Sequence, residues 1–569
     1  MKVGSWKSIL ILVFFFCIGA IITWRLFSIQ ILKGSLYKVL AKGQQELVQD
    51  VSGNRGKIFC HDKDELSLLV SNRAFAKCYA VPAEIQDDNQ TASLVSQILG
   101  LDIEELKTAF SNKENLYYPL KEKISDKEKE LIEQSQLKGI YLKNETYPYY
   151  PYKDIAGTLL GFVDKDQNGK YGIQGYYNNT LRGKEEFVKK EKGILGYFFS
   201  QEGKNIQGSD LILTVDINIQ KKAEELLREV YDNIGYTEGQ IIVMDPNSGK
   251  IIALADYPSY DPNEYSKYSQ NFEIFQNGAL QKLYEPGSVF KAITMAIALN
   301  EKKVTPDTTY QDSGYLKIDR WTIKNYNDKV YGTCTMTKVL ENSINTGAVF
   351  AARQVPKNVY IKYLENFGFF EKTGVDIAGE VSDKISSDLR AGRESSIATV
   401  SFGQGISITP LRLAVSYCAL ANGGKIYKPY IVEKIINPDG TIKEILPQVL
   451  SENIINQQTS ELIKKMLNSV TEIGFSKAAR VSGYYVAGKT GTAQMPTKGG
   501  GYTDSETWQT FAGFGPAYDP KFVAIIKFDK PGVKEASISA APIFSKLAKY
   551  IFDYWQIPTQ RDDLKGVSQ

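Results

Sequence analysis

Ser288 and Lys291 stand three residues apart in the segment YEPGSVFKAITMAIALN, residues 284–300, and could serve as a nucleophile and its base. A serine hydroxyl needs a base to become nucleophilic, and the usual base is histidine. The only histidine, His61, lies far upstream of this segment, so a Ser-His-Asp triad is not expected. The remaining candidate base is Lys291, because burial in an apolar helix lowers the pKa of a lysine toward neutrality.

The local pattern predicts that a helix begins at this serine. Pro286 and Gly287 precede the helix start, which places Ser288 in the first turn and Lys291 one turn further on the same face. The positive end of the helix dipole favours an alkoxide that develops there. The spacing alone is a weak signal, because the pair Ser35 and Lys38 also matches it.

Two further motifs follow in the chain. Ser343 and Asn345 lie in ENSINTGAVF on a predicted turn between helices, and KTGT at residues 489–492 lies on a predicted strand. A second KTG, residues 372–374, is followed by a valine that has no hydroxyl and is not preceded by a strand pattern. The three motifs together, in this order, are far more specific than any one of them.

On a strand, alternate side chains share a face, so Thr490 and Thr492 are expected to point to the same side. The missing side chain of Gly491 would let the backbone of a substrate approach closely. These residues therefore predict a binding strand that faces the nucleophile across a cleft.

The chain has 569 residues, which is too long for one core and predicts two or three domains. A hydrophobic content of 43% and a charged content of 23% are typical of a globular protein. The net charge of +3 gives no reason to expect a nucleic-acid partner. Five scattered cysteines favour neither a disulfide framework nor a zinc cluster, and no metal or other cofactor is predicted. Whether Cys60 and Cys78 pair stays open.

Residues 8–28 are predicted to form one transmembrane anchor after a short cytoplasmic segment, residues 1–7. No charge occurs between Lys7 and Arg25, a length at the short end for a membrane-spanning helix. A cleaved signal peptide is the alternative. Basic residues flank both ends, so the positive-inside rule does not settle the orientation.

Residues 29–205 are predicted to form a mixed α/β, non-catalytic domain, residues 206–555 the catalytic domain, and residues 556–569 a flexible tail. In the catalytic part, Asp216 is the expected N-cap of a helix, and the turn PNSG at 246–249 is expected to join a hairpin. Strand patterns occur at both ends of this part and helical patterns between them. This order predicts an α+β fold whose sheet is closed by the two ends of the domain.

The sequence resembles the class B penicillin-binding proteins, which are membrane-anchored peptidoglycan D,D-transpeptidases. The blocks that carry the resemblance are LTVDINIQKKAEELL, VMDPNSGKIIALADYPSYDPNEY, EPGSVFKAIT, SFGQGISITPLRLA and KTGTAQ. Upstream, NRGKIF and YGIQGYYNNTLRG match the family's pedestal domain more loosely, and Gln174 stands where glutamate is common. SFGQGISITP and ALANGG are more similar to division-type members than to elongation-type members.

The resemblance implies the penicillin-binding transpeptidase fold, an antiparallel sheet with helices on both faces and an all-helical subregion, preceded by an elongated pedestal. It also implies roles for the motif residues. Ser288 attacks the penultimate D-Ala of a stem pentapeptide, and neutral Lys291 takes its proton. Ser343 relays a proton to the leaving amine, Lys489 supplies the electrostatics, and Asn345 binds the substrate amide.

The oxyanion hole is expected from the backbone N–H groups of Ser288 and Thr492. The substrate carboxylate is expected near Lys489, at the hydroxyls of Thr490 and Thr492. β-Lactams, which resemble the acyl-D-Ala-D-Ala end, are expected to trap the serine. No glycosyltransferase domain is present in the sequence, so the expected partners are a multi-pass membrane glycosyltransferase and division-complex proteins, with the catalytic bulk on the extracytoplasmic side of the cell membrane.

Two other classes of function are compatible with the motifs. One is a hydrolase, either a D,D-carboxypeptidase or a class D β-lactamase, which also uses S-x-x-K. Asn345 argues against class D, whose second motif usually ends in an apolar residue, and the anchor and pedestal argue against a secreted lactamase. The other class is a non-catalytic β-lactam sensor or division scaffold.

Overall fold

The computed structural model describes residues 54–183, 207–319, 321–497 and 501–561, together with a few residues between 16 and 24. The predicted anchor and the segment 184–206 therefore lie wholly or largely outside the described residues. Within the described part of the chain, no helix combines the length and the apolar character that a membrane span requires.

The helices and strands are numbered in chain order over three stretches. In residues 54–183 they are β1 (Ile58–Asp62), β2 (Glu65–Ala80), α1 (Asp88–Leu99), α2 (Ile103–Ser111), β3 (Tyr118–Ile124), α3 (Asp126–Ser135), β4 (Ile140–Tyr149), α4 (Gly157–Leu160), β5 (Phe162–Val163), β6 (Gly169–Lys170), α5 (Gly172–Tyr176) and α6 (Asn178–Leu181).

From residue 207 to 366 they are β7 (Asp210–Asp216), α7 (Ile217–Ile234), β8 (Glu238–Met244), β9 (Ile251–Tyr257), α8 (Gly278–Gln281), α9 (Lys291–Asn300), β10 (Thr309–Asp312), β11 (Tyr315–Ile318), β12 (Trp321–Lys324), β13 (Gly332–Thr335), α10 (Met336–Glu341), α11 (Asn345–Arg353) and α12 (Lys357–Asn366).

The remaining elements are β14 (Lys384–Ile385), α13 (Ser387–Arg390), α14 (Glu394–Val400), β15 (Ile406–Ser407), α15 (Pro410–Ala421), β16 (Ile426–Tyr427), β17 (Val432–Ile436), β18 (Ile442–Glu444), β19 (Val449–Ser451), α16 (Gln457–Glu472), β20 (Ala487–Pro496), β21 (Tyr502–Gly515), β22 (Phe522–Asp529) and α17 (Ala540–Tyr554).

A five-stranded antiparallel sheet with the order β20-β21-β22-β8-β9 is the centre of the catalytic part. Its first and last strands in the chain come from opposite ends of the domain, and β22 pairs with β8 to close the sheet. The hairpin predicted around 246–249 is therefore confirmed as β8 and β9. The predicted cap is confirmed as well, because the Asp216 carboxylate accepts hydrogen bonds from the N–H groups of Asn218 and Ile219.

Alternation along the strands gives this sheet two buried faces. On β8, Ile241 and Val243 pack into a core with α7 and α17, whereas Ile242 and Met244 pack into a second core with α9 and α15. Strands that are apolar on both sides need cover on both faces, and helices supply it here. The predicted fold, an antiparallel sheet between helices with a helical subregion, is thus observed in the described catalytic part.

The chain forms two compact units whose limits differ from the predicted domain limits. Among the described residues, one unit is 74–147, which contains α1, α2, α3, β3 and their own apolar core. The other unit contains 55–73, 148–182 and 207–561. The segment 55–73 joins the catalytic residues because β1 pairs in parallel with β7, which pairs with β17. The segment 148–182 joins them through hydrogen bonds such as those from Ala156 N–H to Glu224 and from Thr158 Oγ1 to Asp256. The predicted boundary near residue 205 would place β1 and β7 in different domains, although the two strands are hydrogen-bonded to each other.

The prediction of a flexible tail from residue 556 is wrong for its first six residues. The Arg561 guanidinium forms an ion pair with Glu472 and donates hydrogen bonds to the Tyr484 carbonyl. Gln560 N–H donates to the Gly483 carbonyl. These contacts attach the segment after α17 to the turn before β20. Residues 562–569 lie outside the described part.

Cys60 and Cys78, whose pairing the sequence left open, are both free and buried thiols. The same holds for Cys334 and Cys418. Burial raises the pKa of the Cys60 and Cys78 thiols to about 12, so both are protonated and unreactive near neutral pH.

Candidate active site

Ser288 lies in a 3-10 turn, Gly287–Phe290, that leads directly into α9. Gly287 has a φ of +61°, which a residue with a side chain rarely adopts, and this allows the chain to bend sharply before the serine. Ser288 is half-buried, whereas Lys291, the first residue of α9, is only 1% exposed. The predicted helix start is confirmed, with the serine placed in the 3-10 turn.

The Lys291 amine lies against three oxygen atoms of the S-x-N motif. Nζ is 2.6 Å from the Ser343 carbonyl oxygen, 2.7 Å from Asn345 Oδ1 and 3.2 Å from Ser343 Oγ. The two shorter contacts are to oxygens that can only accept a hydrogen bond. A neutral amine has two N–H groups for them and one lone pair left for a hydroxyl. The contacts are thus compatible with an uncharged Lys291 that accepts a proton from serine.

Burial and charge both favour the neutral form of this lysine. Burial, together with the nearby charge of Lys489, lowers the pKa of Lys291 well below its ordinary value of 10.5. Lys489 is itself fully buried, and burial lowers its pKa to about 7. Because the two amines repel each other when both are charged, one of them loses its proton easily.

The S-x-N motif is a tight turn between α10 and α11. Ser343 has a φ of +55°, an uncommon and strained conformation for a residue with a side chain. This conformation places both its carbonyl oxygen and its hydroxyl against Lys291. Asn345 is the first residue of α11, and its Nδ2 donates to the Lys324 carbonyl at 2.8 Å. The predicted turn between helices is confirmed.

β20 packs directly against the nucleophile turn through Gly491. A Cβ at this position would lie 2.7 Å from the Pro286 carbonyl oxygen and 3.1 Å from the Val289 backbone nitrogen. The space that glycine leaves is therefore filled by the protein's own turn. The structure thus gives Gly491 a packing role against the 286–289 turn, and close approach of a substrate backbone stays a prediction.

The two threonines share the opposite face of β20, as alternation requires, but their surroundings differ. Thr490 is 9% exposed, and its hydroxyl is 3.2 Å from the hydroxyl of Ser476. Thr492 is exposed, and its Oγ1 accepts a hydrogen bond from Ala536 N–H at 3.2 Å. Thr492 therefore keeps its own O–H for another partner. β20 pairs with β21 alone in its sheet, so its other edge is open among the described residues.

The segment 402–408 lies alongside the nucleophile turn. Gly403, with a φ of +83°, accepts a hydrogen bond from Gly287 N–H, and Gly405 N–H donates to the Glu285 carboxylate at 3.0 Å. The Tyr502 hydroxyl donates to the same carboxylate at 3.1 Å. Tyr502 is the first residue of β21.

Sequence reasoning missed Ser476, which accepts a hydrogen bond from Thr490 N–H and meets the Thr490 hydroxyl. It also missed Glu285, although this residue stands three positions before Ser288. The sequence held a weak signal for Glu285, an acidic residue at the edge of an apolar run. No local signal marks Ser476, which reaches the site from the loop after α16.

The structure thus brings the three motifs to one place. Lys291 contacts Ser343 and Asn345, and Gly491 contacts the turn that carries Ser288. This arrangement contains a serine, a buried amine three residues further along the same turn of chain, and an open strand edge. Such a site can perform acyl transfer through a covalent serine intermediate.

Two protein-family models match the chain. Residues 239–549 match the model described as "Penicillin binding protein transpeptidase domain", which covers more than half of the sequence. Residues 50–213 match the model described as "Penicillin-binding Protein dimerisation domain". The first match contains all three motifs, and the second covers the mixed region upstream.

Several known proteins are similar along nearly their whole length. Stage V sporulation protein D of Bacillus subtilis is 30% identical over 95% of this chain and 85% of its own. The peptidoglycan D,D-transpeptidase FtsI homolog of Mesostigma viride is 28% identical over 98% of this chain and 97% of its own. The crystal structure of penicillin-binding protein 3 from Mycobacterium tuberculosis with aztreonam superposes with a TM-score of 0.69, at 23% identity, over 90% of this chain and 98% of that one.

Proposed function

This chain belongs to the class B penicillin-binding proteins and is a peptidoglycan D,D-transpeptidase, and we propose that the reaction proceeds through an acyl-enzyme on Ser288. The observation that carries this proposal is the position of Lys291. Its amine is buried, it donates to two obligate acceptors, and its remaining electron pair is available to a serine hydroxyl.

In the first half-reaction, Ser288 Oγ attacks the carbonyl carbon of the penultimate D-Ala of a stem pentapeptide. Lys291 takes the hydroxyl proton. The tetrahedral intermediate collapses as its C–N bond breaks, and a proton passes through Ser343 to the departing amine of the terminal D-Ala. Ser343 Oγ lies 3.2 Å from Lys291 Nζ, which supports a proton path from one to the other.

Backbone and side chains of β20 bind the substrate in this proposal. The N–H groups of Ser288 and Thr492 hold the oxyanion, and each such donor is typically worth ~10²–10³ in rate. The Thr492 hydroxyl donates to the substrate carboxylate beside Lys489, and Thr490, held by Ser476, supports the same wall. Asn345 binds the substrate amide. An amine of a second stem peptide then attacks the ester carbonyl, forms the cross-link and releases Ser288.

A β-lactam enters the same first step, since its strained amide acylates Ser288 but its leaving group stays attached. Incubation of the purified protein with a fluorescent penicillin should label it covalently at Ser288. Ser288→Ala should abolish the label, and Ser266→Ala, an exposed serine elsewhere in the same unit, should keep it. Labelling that survives in Ser288→Ala would refute the acyl-enzyme.

The lifetime of the adduct separates the enzyme classes. A transpeptidase retains the label for many minutes, whereas a β-lactamase clears it in seconds. Release of D-Ala from a pentapeptide without formation of a dimeric product would indicate a carboxypeptidase. A protein that never acquires the label would be a non-catalytic scaffold.

We also propose that residues 8–28 anchor the protein in the cell membrane, with residues from 29 onward on the extracytoplasmic side. The match of residues 50–213 to a dimerisation-domain model supports a non-catalytic domain that contacts partners. A multi-pass membrane glycosyltransferase and division-complex proteins are the partners we expect. Membrane fractionation of the full chain, with protease added outside intact cells, tests both the anchor and its orientation.

The cellular role has two candidates. Similarity to proteins named FtsI supports cross-linking at the division septum. The relative named Stage V sporulation protein D supports a role in sporulation as the second candidate. Depletion of the protein during growth should produce unseptated filaments in the first case. In the second case it should leave growth unchanged and impair spores.

A further inference from the structure

Asp312, at the end of β10, is buried behind the S-x-N motif with only 1% of its surface exposed. Its carboxylate accepts hydrogen bonds from Thr346 Oγ1 at 2.6 Å, Tyr331 N–H at 2.8 Å, Gly314 N–H at 3.1 Å and Asn325 Nδ2 at 2.9 Å. None of these donors carries a charge. Burial alone would raise the pKa of Asp312, but the hydrogen bonds from Thr346 and the others lower it, so the group is ionised and accepts only.

This carboxylate fixes the orientation of a neighbouring amide. Asn325 is 4% exposed, and its Nδ2 must face Asp312 because a carboxylate can only accept. The other end of the amide, Oδ1, then accepts from Thr346 N–H at 3.1 Å. Asp312 thus joins the segment after β12 to the first turn of α11.

The same segment fixes the amide of Asn345. The Lys324 carbonyl, directly before Asn325 in the chain, accepts a hydrogen bond from Asn345 Nδ2 at 2.8 Å. Since a carbonyl can only accept, Oδ1 is the end of the Asn345 amide that faces Lys291, at 2.7 Å. A reversed amide would present its NH₂ group to the lone pair of Lys291, which is the lone pair that takes the serine proton.

We propose that Asp312 is a positioning residue for acyl transfer, which acts through Asn325 and the Lys324 carbonyl to keep Oδ1 of Asn345 turned toward Lys291. This inference rests on the proposed role of Lys291 as the base. Asp312 touches neither the substrate nor the reacting atoms. It keeps the lone pair of Lys291 free for Ser288.

The test compares two changes of the same kind. Asp312→Asn replaces one obligate acceptor with an NH₂ group that faces the N–H donors of Tyr331 or Gly314. Asp328→Asn removes the same charge from an exposed position after β12, where Asp328 forms an ion pair with the Lys324 side chain. The measurement is the second-order rate of acylation by a fluorescent penicillin as a function of pH.

For Asp312→Asn we expect the plateau rate to fall by about 10- to 100-fold, as for other small displacements of catalytic groups. We also expect the acid limb of the pH–rate profile to move to lower pH. The NH₂ group of a reversed Asn345 amide would donate to Lys291 and so favour the neutral form of the lysine. Lys489 on β20, the charged group that faces Lys291, is unchanged in both variants. Asp328→Asn should match the wild type in its plateau rate of acylation and in the pH at which the rate falls on the acid side.

A second pair of variants keeps the test decisive if Asp312→Asn does not fold. Thr346→Val removes the hydroxyl that donates to Asp312 but keeps the shape, and Thr346→Ser keeps the donor. The valine variant should repeat the loss of rate and the shifted limb, and the serine variant should restore both. If the acid limb of the pH–rate profile is unchanged in both Asp312→Asn and Thr346→Val, Asp312 has no positioning role. Failure of the wild type to become labelled would instead overturn the proposed function.

Discussion

Lys291 and Asn345 are joined by a 2.7 Å contact between Nζ and Oδ1, in which the acceptor is an uncharged amide. An amide can hold the lysine in place without stabilising its charged form as strongly as a carboxylate would. A neutral amide at position 345 therefore permits Lys291 to act as a base, whereas a carboxylate there would not.

Asn345→Asp is expected to abolish rapid acylation near neutral pH. A carboxylate at 2.7 Å would raise the pKa of Lys291, so the base would be protonated and unable to accept the serine proton. The rate should fall by at least about 100-fold at pH 7 and recover partly as pH rises. Stopped-flow acylation between about pH 5 and pH 10 checks this. A uniform loss of rate without a shifted acid limb would indicate lost substrate contacts only.

The pH profile of the wild-type protein should be bell-shaped. Acylation requires Lys291 neutral, and its lowered pKa extends the active range to lower pH. If a charged Lys489 is required for substrate binding, the rate falls as it loses its proton, near pH 7 in the free protein. Lys489→Arg stays charged at all accessible pH values, so its normalised profile should lose the alkaline limb. An alkaline limb that persists in this variant would exclude Lys489 as its source.

Gly491→Ala should separate β20 from the nucleophile turn. Its Cβ would lie 2.7 Å from the Pro286 carbonyl oxygen, which is backbone and cannot rotate away. We expect at least about a 100-fold slower acylation, because displacements of about 1 Å cost this much. Gly175→Ala is the milder control, since the nearest atom to its Cβ would be the Lys170 carbonyl carbon at 3.3 Å, against 2.7 Å at Gly491. A Gly491→Ala variant with the wild-type acylation rate would show that the packing is not required.

Glu224 predicts a pH dependence of stability. Its carboxyl group, buried on α7, accepts hydrogen bonds from Gln220 and Ala156, yet burial raises its pKa to about 8 from 4.5. The folded state then holds a proton that the unfolded state has lost, so stability falls as pH rises from about 4.5 through about 8. Glu224→Gln should be more stable than the wild type at alkaline pH, by at least about 1.4 kcal/mol.

Thermal unfolding at several pH values measures this effect. Glu225→Gln is the matched control on the same helix, because Glu225 is exposed and pairs only with Lys222 among the described residues. The melting temperatures of Glu224→Gln and the wild type should converge near the acid end of the range and separate toward the alkaline end. Parallel curves over the whole range would contradict the raised pKa.

Gln174→Glu should stabilise the protein. Arg55 is 7% exposed, and its guanidinium donates to Gln174 Oε1 at 2.8 Å and to other uncharged acceptors, while burial lowers its pKa to about 10. A glutamate would give this buried cation a charged partner and remove the unpartnered Nε2 of Gln174. We expect a gain of about 1–3 kcal/mol in the free energy of unfolding. Chemical denaturation checks it, and a lower midpoint would show that the added charge is not compensated.

Much of the fold could be predicted because its signals are local. Asp216 caps α7 with its own side chain, and the turn at 246–249 joins adjacent strands. Each of these depends on residues a few positions apart, so periodicity and turn chemistry suffice. The sheet that joins both ends of the catalytic part followed from strand patterns at those ends.

Other features depend on contacts between distant segments, and no local pattern encodes them. The limits of the compact units depend on β1 pairing with β7, more than a hundred residues later. The packing of Gly491 depends on the turn at residues 286–289, which lies about two hundred residues earlier in the chain. The order in residues 556–561 depends on an ion pair with Glu472.

The sequence by itself determined the chemistry available to this protein, namely a serine, two lysines and an asparagine in an order that permits acyl transfer without histidine. Only the tertiary structure decided how these groups behave. The pKa of Lys291 depends on its burial and on Lys489, which lies about two hundred residues away in the chain. Coulomb energy and desolvation depend on distance in space, and folding alone sets that distance.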